Sequence, residues 1–167
     1  LGRRDNTWCL PSVKWLGTPT LDAAAAELIR STLGGSVTTW QEQIGAFEAG
    51  PHGASGDGTG LSVAFVALSA RENLLPPDSD WCGVGGLPHG LAPAQRQMVG
   101  AAVGRVRSRM DEAPIAFRLL PPLFTLSELQ IVHEVLLGHR LHKASFRRAL
   151  KAVTMVEAMD TWRREGR

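Results

Sequence analysis

Near the C-terminal end, Leu126, Leu129, Val132 and Leu136 recur at helical spacing with polar residues between them, and Gly138 stands where such a helix would stop. Just before them, Thr125 is followed three residues later by Glu128, the capping-box pattern that satisfies the free N–H groups opening a helix. A second pattern starts at about His142. At about 100° per residue it puts Phe146, Ala149 and Leu150 on one face and Ala144, Arg147, Arg148 and Lys151 on the other. The spacing predicts two short helices joined by a tight turn, the apolar face of the second packing on the first. Its other face is a narrow cationic stripe flanked by small residues. A helix lying in a DNA major groove needs that shape: long donors for phosphates and base edges, and nothing bulky to block approach.

Upstream the periods are mixed. Residues 20–35, TLDAAAAELIRSTLGG, predict a helix with Thr20 as N-cap, Asp22 at the positive end of the dipole and Gly34 as the closing residue. Residues 36–58 begin with a short β-prone piece and dissolve into a glycine-rich loop, while 61–70, LSVAFVALSA, form the clearest strand, expected in the middle of a sheet. Pro93 opens a long helix in which Met98, Ala102, Val106 and Met110 follow at near-helical spacing, with Arg96, Arg105, Arg107 and Arg109 on its polar side. Pro114 ends that pattern. Residues 114–124 are then expected as a strand and linker, which divides the chain into domains 1–112 and 113–167.

Charge sharpens this division. From residue 139 to 167 stand Arg140, Lys143, Arg147, Arg148, Lys151, Arg163, Arg164 and Arg167 against Glu157, Asp160 and Glu165, a surplus of five in a chain whose net charge is only +2. The rest is therefore slightly acidic, and the asymmetry points to a polyanion-binding end. The bland alternative is a helical hairpin with a solvated basic face. At 44% hydrophobic and 20% charged residues, composition excludes a disordered chain. No run is long and apolar enough to span a membrane and LGRRDN lacks a signal core, so a cytoplasmic protein with no membrane partner is expected. Cys9 and Cys82 lack metal-ligand spacing, predicting reduced thiols in or near the core and no metal. Trp8 and Trp15 are expected in the core under the sheet. Since the chain begins at Leu1 and ends on REGR, both ends are expected to be trimmed.

The run LLPPLFTLSELQIVHEVLLGHRLHKASFRRAL resembles the C-terminal winged helix-turn-helix of the Nudix-related transcriptional regulators, the NrtR-like family. The Leu-Leu-Pro lead-in, the FTLxELQ opening, the LLG before the turn and the K-x-x-F-R-R core at Lys143, Phe146, Arg147 and Arg148 carry the likeness. It is strong from Leu119 to Leu150 and weak over the first hundred residues. Ala144 and Ser145 stand where family members commonly have Arg and Asn, so the family's base preference is not carried over to this chain. Residues 3–14, with Trp8, Leu10 and Pro11, resemble the strand leading into a Nudix signature helix; no strand precedes Arg3, so part of the first sheet is expected outside the chain. QIGAF, 43–47, resembles the strand before the family's arginine-bearing ligand loop, and here that loop has lost its arginines.

The resemblance implies an α+β chain: a Nudix-like α/β/α sandwich with a mixed sheet over 1–112, then a winged helix-turn-helix over 113–167. Residues 152–167 read as the wing. Implied DNA-binding residues are Thr125, Arg140, Lys143, Ser145, Arg147, Arg148 and Lys151, with Arg163, Arg164 and Arg167 on the wing meeting phosphates. In an active Nudix enzyme, R-E-x-x-E-E on the signature helix holds divalent cations. With Gly34 as the terminal glycine, this chain has Glu27, Leu28, Ser31 and Thr32 in place of Arg and three Glu; shifting by one places Arg30 and Ser31 at the paired position. Either way the carboxylate cluster is missing.

The expected protein is therefore a transcriptional regulator of repressor type, catalytically silent and without cofactor. Its partners are a palindromic double-stranded DNA operator, a small nucleotide-type ligand such as ADP-ribose, and a second copy in a homodimer. No ligand-binding residue stands out. Two alternatives compete: a Nudix hydrolase of a nucleoside diphosphate derivative, which the missing carboxylates oppose, and a nucleotide-sensing module with a protein partner, which leaves the basic end unexplained.

Overall fold

The computed structural model describes residues 1–4, 7–33, 40–48, 60–69, 76–112, 114–151, 156–157 and 159. The chain divides into two compact units, Leu1–Pro121 and Pro122–Arg167. The first carries strands β1 (Gly2–Arg4) and β2 (Thr7–Cys9), helix α1 (Leu21–Thr32), strands β3 (Trp40–Glu48) and β4 (Leu61–Leu68), helix α2 (Pro93–Glu112) and a 3-10 turn at Ile115–Leu119. The second carries helices α3 (Leu126–Leu137) and α4 (Lys143–Lys151).

The core of the first unit gathers along α2. Leu91, Ala92, Met98 and Val106 are buried, and so are Ile115 and Ala116 just beyond the helix. Pro93 suits the first helical position because it has no N–H to leave unpaired. The one buried polar side chain among the described residues, Gln95, accepts from the backbone N–H of Leu10 at 3.1 Å, tying the segment after β2 to the helix.

The polar side of α2 is a set of internal ties. Glu42 of β3 accepts from Arg105 at 3.0 Å and, in fork geometry, from Arg109 at 2.8 and 2.7 Å. The Arg109 hydrogen bonds, and then the positive field of both guanidinium groups, hold the Glu42 carboxyl below its ordinary range despite partial burial. Arg96 reaches back to the carbonyls of Leu91 and Pro88, leaving Arg107 exposed.

β3 and β4 pair antiparallel, and their register slips by one between Gln43 and Gly45, leaving Ile44 as an extra residue. The bulge shifts the phase of β3: Glu42 is half-buried and Gln43 exposed before it, whereas Ala46 is exposed and Phe47 half-buried after it. Gly45, at φ 151°, supplies the backbone freedom this needs. Alternation read from sequence therefore breaks in mid-strand.

Several expectations are corrected. Residues 115–119 form a 3-10 turn rather than a strand, because Pro114 fixes the backbone and Ile115 and Ala116 turn onto the core. β4 pairs only with β3 among the described residues, with Leu61 and Val63 exposed, so it does not lie mid-sheet there. Trp15 is 46% exposed, its indole Nε1 donating to the Pro19 carbonyl at 2.6 Å, and is no core residue. Trp8, by contrast, is half-buried in a hairpin that begins at Gly2, ahead of the expected start. Helix α1 has the expected Thr20 cap, accepting from Ala23 N–H at 3.3 Å, and the Leu33 N–H returns to the Ile29 carbonyl at its end; Gly34, the expected closing residue, lies outside the described residues. Both cysteines are free and half-buried. No helix among the described residues is long and apolar enough to cross a membrane.

Candidate nucleic-acid interface

The second unit is built from its caps inward. Thr125 Oγ1 accepts from Glu128 N–H at 3.1 Å while Glu128 Oε2 accepts from Thr125 N–H at 2.6 Å, so the capping box is closed in both directions. Leu129 is fully buried beneath α3. At the other end Gly138 takes the left-handed conformation, φ 77°, and its N–H returns to the Glu134 carbonyl at 2.8 Å. Only a residue without Cβ adopts that turn at no cost, which is why the helix stops there.

The turn is then pinned by two α3 side chains. Glu134 Oε1 accepts from the Leu141 N–H at 3.0 Å, Gln130 Nε2 donates to the Leu141 carbonyl at 3.1 Å, and the same Nε2 donates to Glu134 Oε1 at 2.8 Å. The Glu134 side chain is only 12% exposed. The Leu141 N–H and then Gln130 hold its carboxyl below the ordinary range. The sequence reading missed both residues, although Gln130 and Glu134, four apart inside an apolar helix, were the available signal.

α4 begins with Phe146 N–H on the His142 carbonyl at 2.9 Å. The Phe146 ring meets His133 of α3 edge-to-face at 5.1 Å, and Leu150 is half-buried below it. Ala149, expected on this inner face, is exposed: at about 100° per residue it sits at the edge of the face that Phe146 and Leu150 define.

Lys143, Ala144, Ser145, Arg147 and Arg148 are all exposed, Ala144 and Arg148 opposite Phe146 and Leu150 and Lys143 and Arg147 on one flank, with no acid paired to Lys143, Arg147 or Arg148 among the described residues. Ser145 Oγ lies 3.3 Å from His142 Nδ1. Arg140 is 94% exposed and only grazes Glu134 at 3.4 Å, while Thr125 spends its hydroxyl on the cap. Lys151 ends α4. Arg163, Arg164 and Arg167 lie outside the described residues.

In the first unit, α1, which the sequence resemblance likens to a Nudix signature helix, has its Glu27 engaged at the surface. Glu27 receives Arg30 through both oxygens at 2.9 and 2.6 Å, a surface pair that lowers the carboxyl's pKa. Ser31 and Thr32 both donate back to the Leu28 carbonyl, at 2.9 and 2.7 Å. A cavity of about 520 Å³ lies between the end of β3 and the start of α2, lined by Phe47, Glu48, Pro93 and Gln97 among others. Among the described residues its lining offers a carboxylate and an amide but no cation.

A capped helix, a left-handed glycine turn and a second helix with its cations turned outward define a helix-turn-helix unit following an α+β unit. Residues 116–167 match the family described as the NrtR DNA-binding winged helix domain. Over 70 residues, 42% of this chain, the sequence is 37% identical to a protein of Acinetobacter baylyi named ADPR responsive transcriptional repressor NtrR; the stretch spans 28% of that protein. The crystal structure of Shewanella oneidensis NrtR superimposes with a TM-score of 0.58 at 24% identity, covering 80% of this chain and 63% of that one, a likeness of fold. The likeness to the NrtR regulators is therefore carried in sequence by residues 116–167, and over the longer stretch it is a likeness of fold.

Proposed function

We propose that this chain is a DNA-binding transcriptional repressor of the NrtR type, acting as a cytoplasmic homodimer that reads a palindromic operator with α4 in the major groove. The observation that carries the reading is that Lys143, Ser145, Arg147 and Arg148 all stand exposed on α4, the three cations unopposed by acid among the described residues, on a helix held by a capped and pinned turn. Arg147 and Arg148 stand about 100° apart on the helix axis, so one faces base edges while the other reaches a phosphate strand. Arg140, Lys151, Arg163, Arg164 and Arg167 supply backbone contacts, and Thr125 presents the start of α3 to a phosphate.

The first unit, taken as residues 1–112 with 113–167 as the DNA-binding end, is in this reading a Nudix-like sandwich that senses a nucleotide-type ligand without hydrolysing it. The name of the Acinetobacter baylyi relative, an ADPR responsive repressor, supports ADP-ribose as the ligand to try first. The engagement of Glu27 by Arg30 and the self-bonding of Ser31 and Thr32 support catalytic silence, since hard divalent cations need several free oxygen ligands. The α2 cavity offers no cation for a diphosphate, so no residue is assigned to the ligand.

The test is selection by the purified chain from a random duplex pool, followed by titration of ADP-ribose into the enriched complex. Enrichment of a two-fold symmetric sequence and a shift of the binding curve by ADP-ribose are expected; a pool that stays random overturns the reading. Hydrolysis of ADP-ribose with magnesium or manganese at even about 1 s⁻¹ would favour the hydrolase alternative.

A further inference from the structure

We propose that Gln130 and Glu134 are positioning residues that set the sequence preference of α4 without touching DNA, an inference that rests on the function proposed above. Leu141 lies two residues ahead of α4, and both of its backbone polar groups are taken by α3 side chains, the N–H by Glu134 and the carbonyl by Gln130. The Gln130–Glu134 bond at 2.8 Å closes these into a ring of three hydrogen bonds. Glycine at 138 lets the chain turn but leaves it free to swing. The ring removes that freedom, and with the Phe146–His133 contact it holds α4 at both its entry and its buried face.

A phosphate contact tolerates a small tilt of the helix, because a long cation finds the strand again; a bidentate contact to a base edge does not. Loosening the ring therefore lowers preference before it lowers general affinity. The choice of a carboxylate supports a directional role. Glu134 brings negative charge within 3.4 Å of Arg140, beside a surface that would meet a polyanion, and purely electrostatic demands would have excluded it there.

The experiment compares the full-length wild type with Glu134→Ala, Glu134→Gln and Gln130→Ala. Each is titrated with the duplex enriched by the wild type and with its scrambled sequence, at several salt concentrations. Both changes at 134 remove the same charge, whereas only alanine removes the acceptor for Leu141 and Gln130. Glu134→Ala and Gln130→Ala are expected to lower the enriched-to-scrambled affinity ratio by about tenfold, the loss of a half-buried hydrogen bond, with the salt slope unchanged. Glu134→Gln is expected to keep the ratio within about twofold.

Two results would overturn the proposal: a ratio unchanged in Gln130→Ala, or equal shifts for both duplexes in the two changes at 134, which would mark a charge effect. Should Glu134→Ala fail to melt cooperatively, Gln130→Ala against Glu134→Gln decides by the same ratio. A wild type that enriches no duplex overturns the proposed function itself, and is thereby distinguished from a discriminating wild type whose variants discriminate equally.

Discussion

Two helices of this chain carry arginines at close spacing, and they use them in opposite ways. On α2, Arg105 and Arg109 close on Glu42 and Arg96 donates to the carbonyls of Leu91 and Pro88 ahead of the helix, so these three cations are internal ties of the first unit. On α4, Lys143, Arg147 and Arg148 meet no acid among the described residues and stand exposed. A sequence shows the same letters in both places. The difference lies in whether a neighbouring element offers a carboxylate at the right height, and β3 offers one to α2. Charge that a fold has already neutralised stabilises the fold; charge left open is available to a partner.

The comparison is broken or sharpened first at α4. Arg147→Ala or Arg148→Ala, whichever faces a base, is expected to weaken operator binding by about 1–3 kcal/mol and to relax preference at one base pair, read by titrating single-base variants of the site. Neither change should shift the melting temperature. The reverse outcome, lost stability with intact preference, would make α4 a second α2.

Next comes Arg109→Ala. It strips Glu42 of its forked partner, and with a third of the arginine side chain exposed the loss is expected at about 1–2 kcal/mol in urea unfolding, with DNA affinity at a given salt unchanged. The sign of the pH effect follows from the same pair. Glu42 titrates lower in the folded chain than in the unfolded one, so its contribution is present above the ordinary carboxylate value of 4.5 and is lost as pH falls through the folded value. Arg109→Ala should therefore flatten the acid limb of the stability curve, and an unchanged limb would remove Glu42 from the account.

Thr125→Ala should cost about 1 kcal/mol of stability by opening the capping box, read from the same unfolding curves. The smallest change is expected in the proposed wing: Arg163→Ala or Arg164→Ala should weaken operator and scrambled DNA alike and lower the salt slope by about one.

What was legible in the sequence was whatever short-range rules decide. The capping box at Thr125 and Glu128, the stop at Gly138, the inward Phe146 and the outward arginines of α4 all follow from spacing within one or two turns. The long helix from Pro93 was legible for the same reason. What was not legible depended on partners far along the chain. Glu42 and Arg109 are 67 residues apart, and nothing local marks them as a pair. Trp15 looked like a core residue because its size is read and its neighbours are not. The turn of residues 115–119 was mistaken for a strand because apolar content alone cannot tell a packed turn from an extended segment. Gln130 and Glu134 were visible as letters, but their shared target is a backbone position that only the folded turn brings within reach.

Ile44 carries a consequence for how this chain is compared with others. The extra residue means that β3 is written in two phases, Glu42 half-buried and Gln43 exposed before it, Ala46 exposed and Phe47 half-buried after it. A relative lacking that single residue would keep the same fold while every downstream position shifted by one letter. Matched letter by letter without a gap, it would seem to exchange apolar for polar residues from Gly45 to Glu48; opened by one position at Ile44, the two would agree. A gap inside a strand is usually penalised as an error of alignment. Here the bulge makes it the physically correct place for an insertion or deletion to survive, because the disturbance is absorbed where the ladder is already broken.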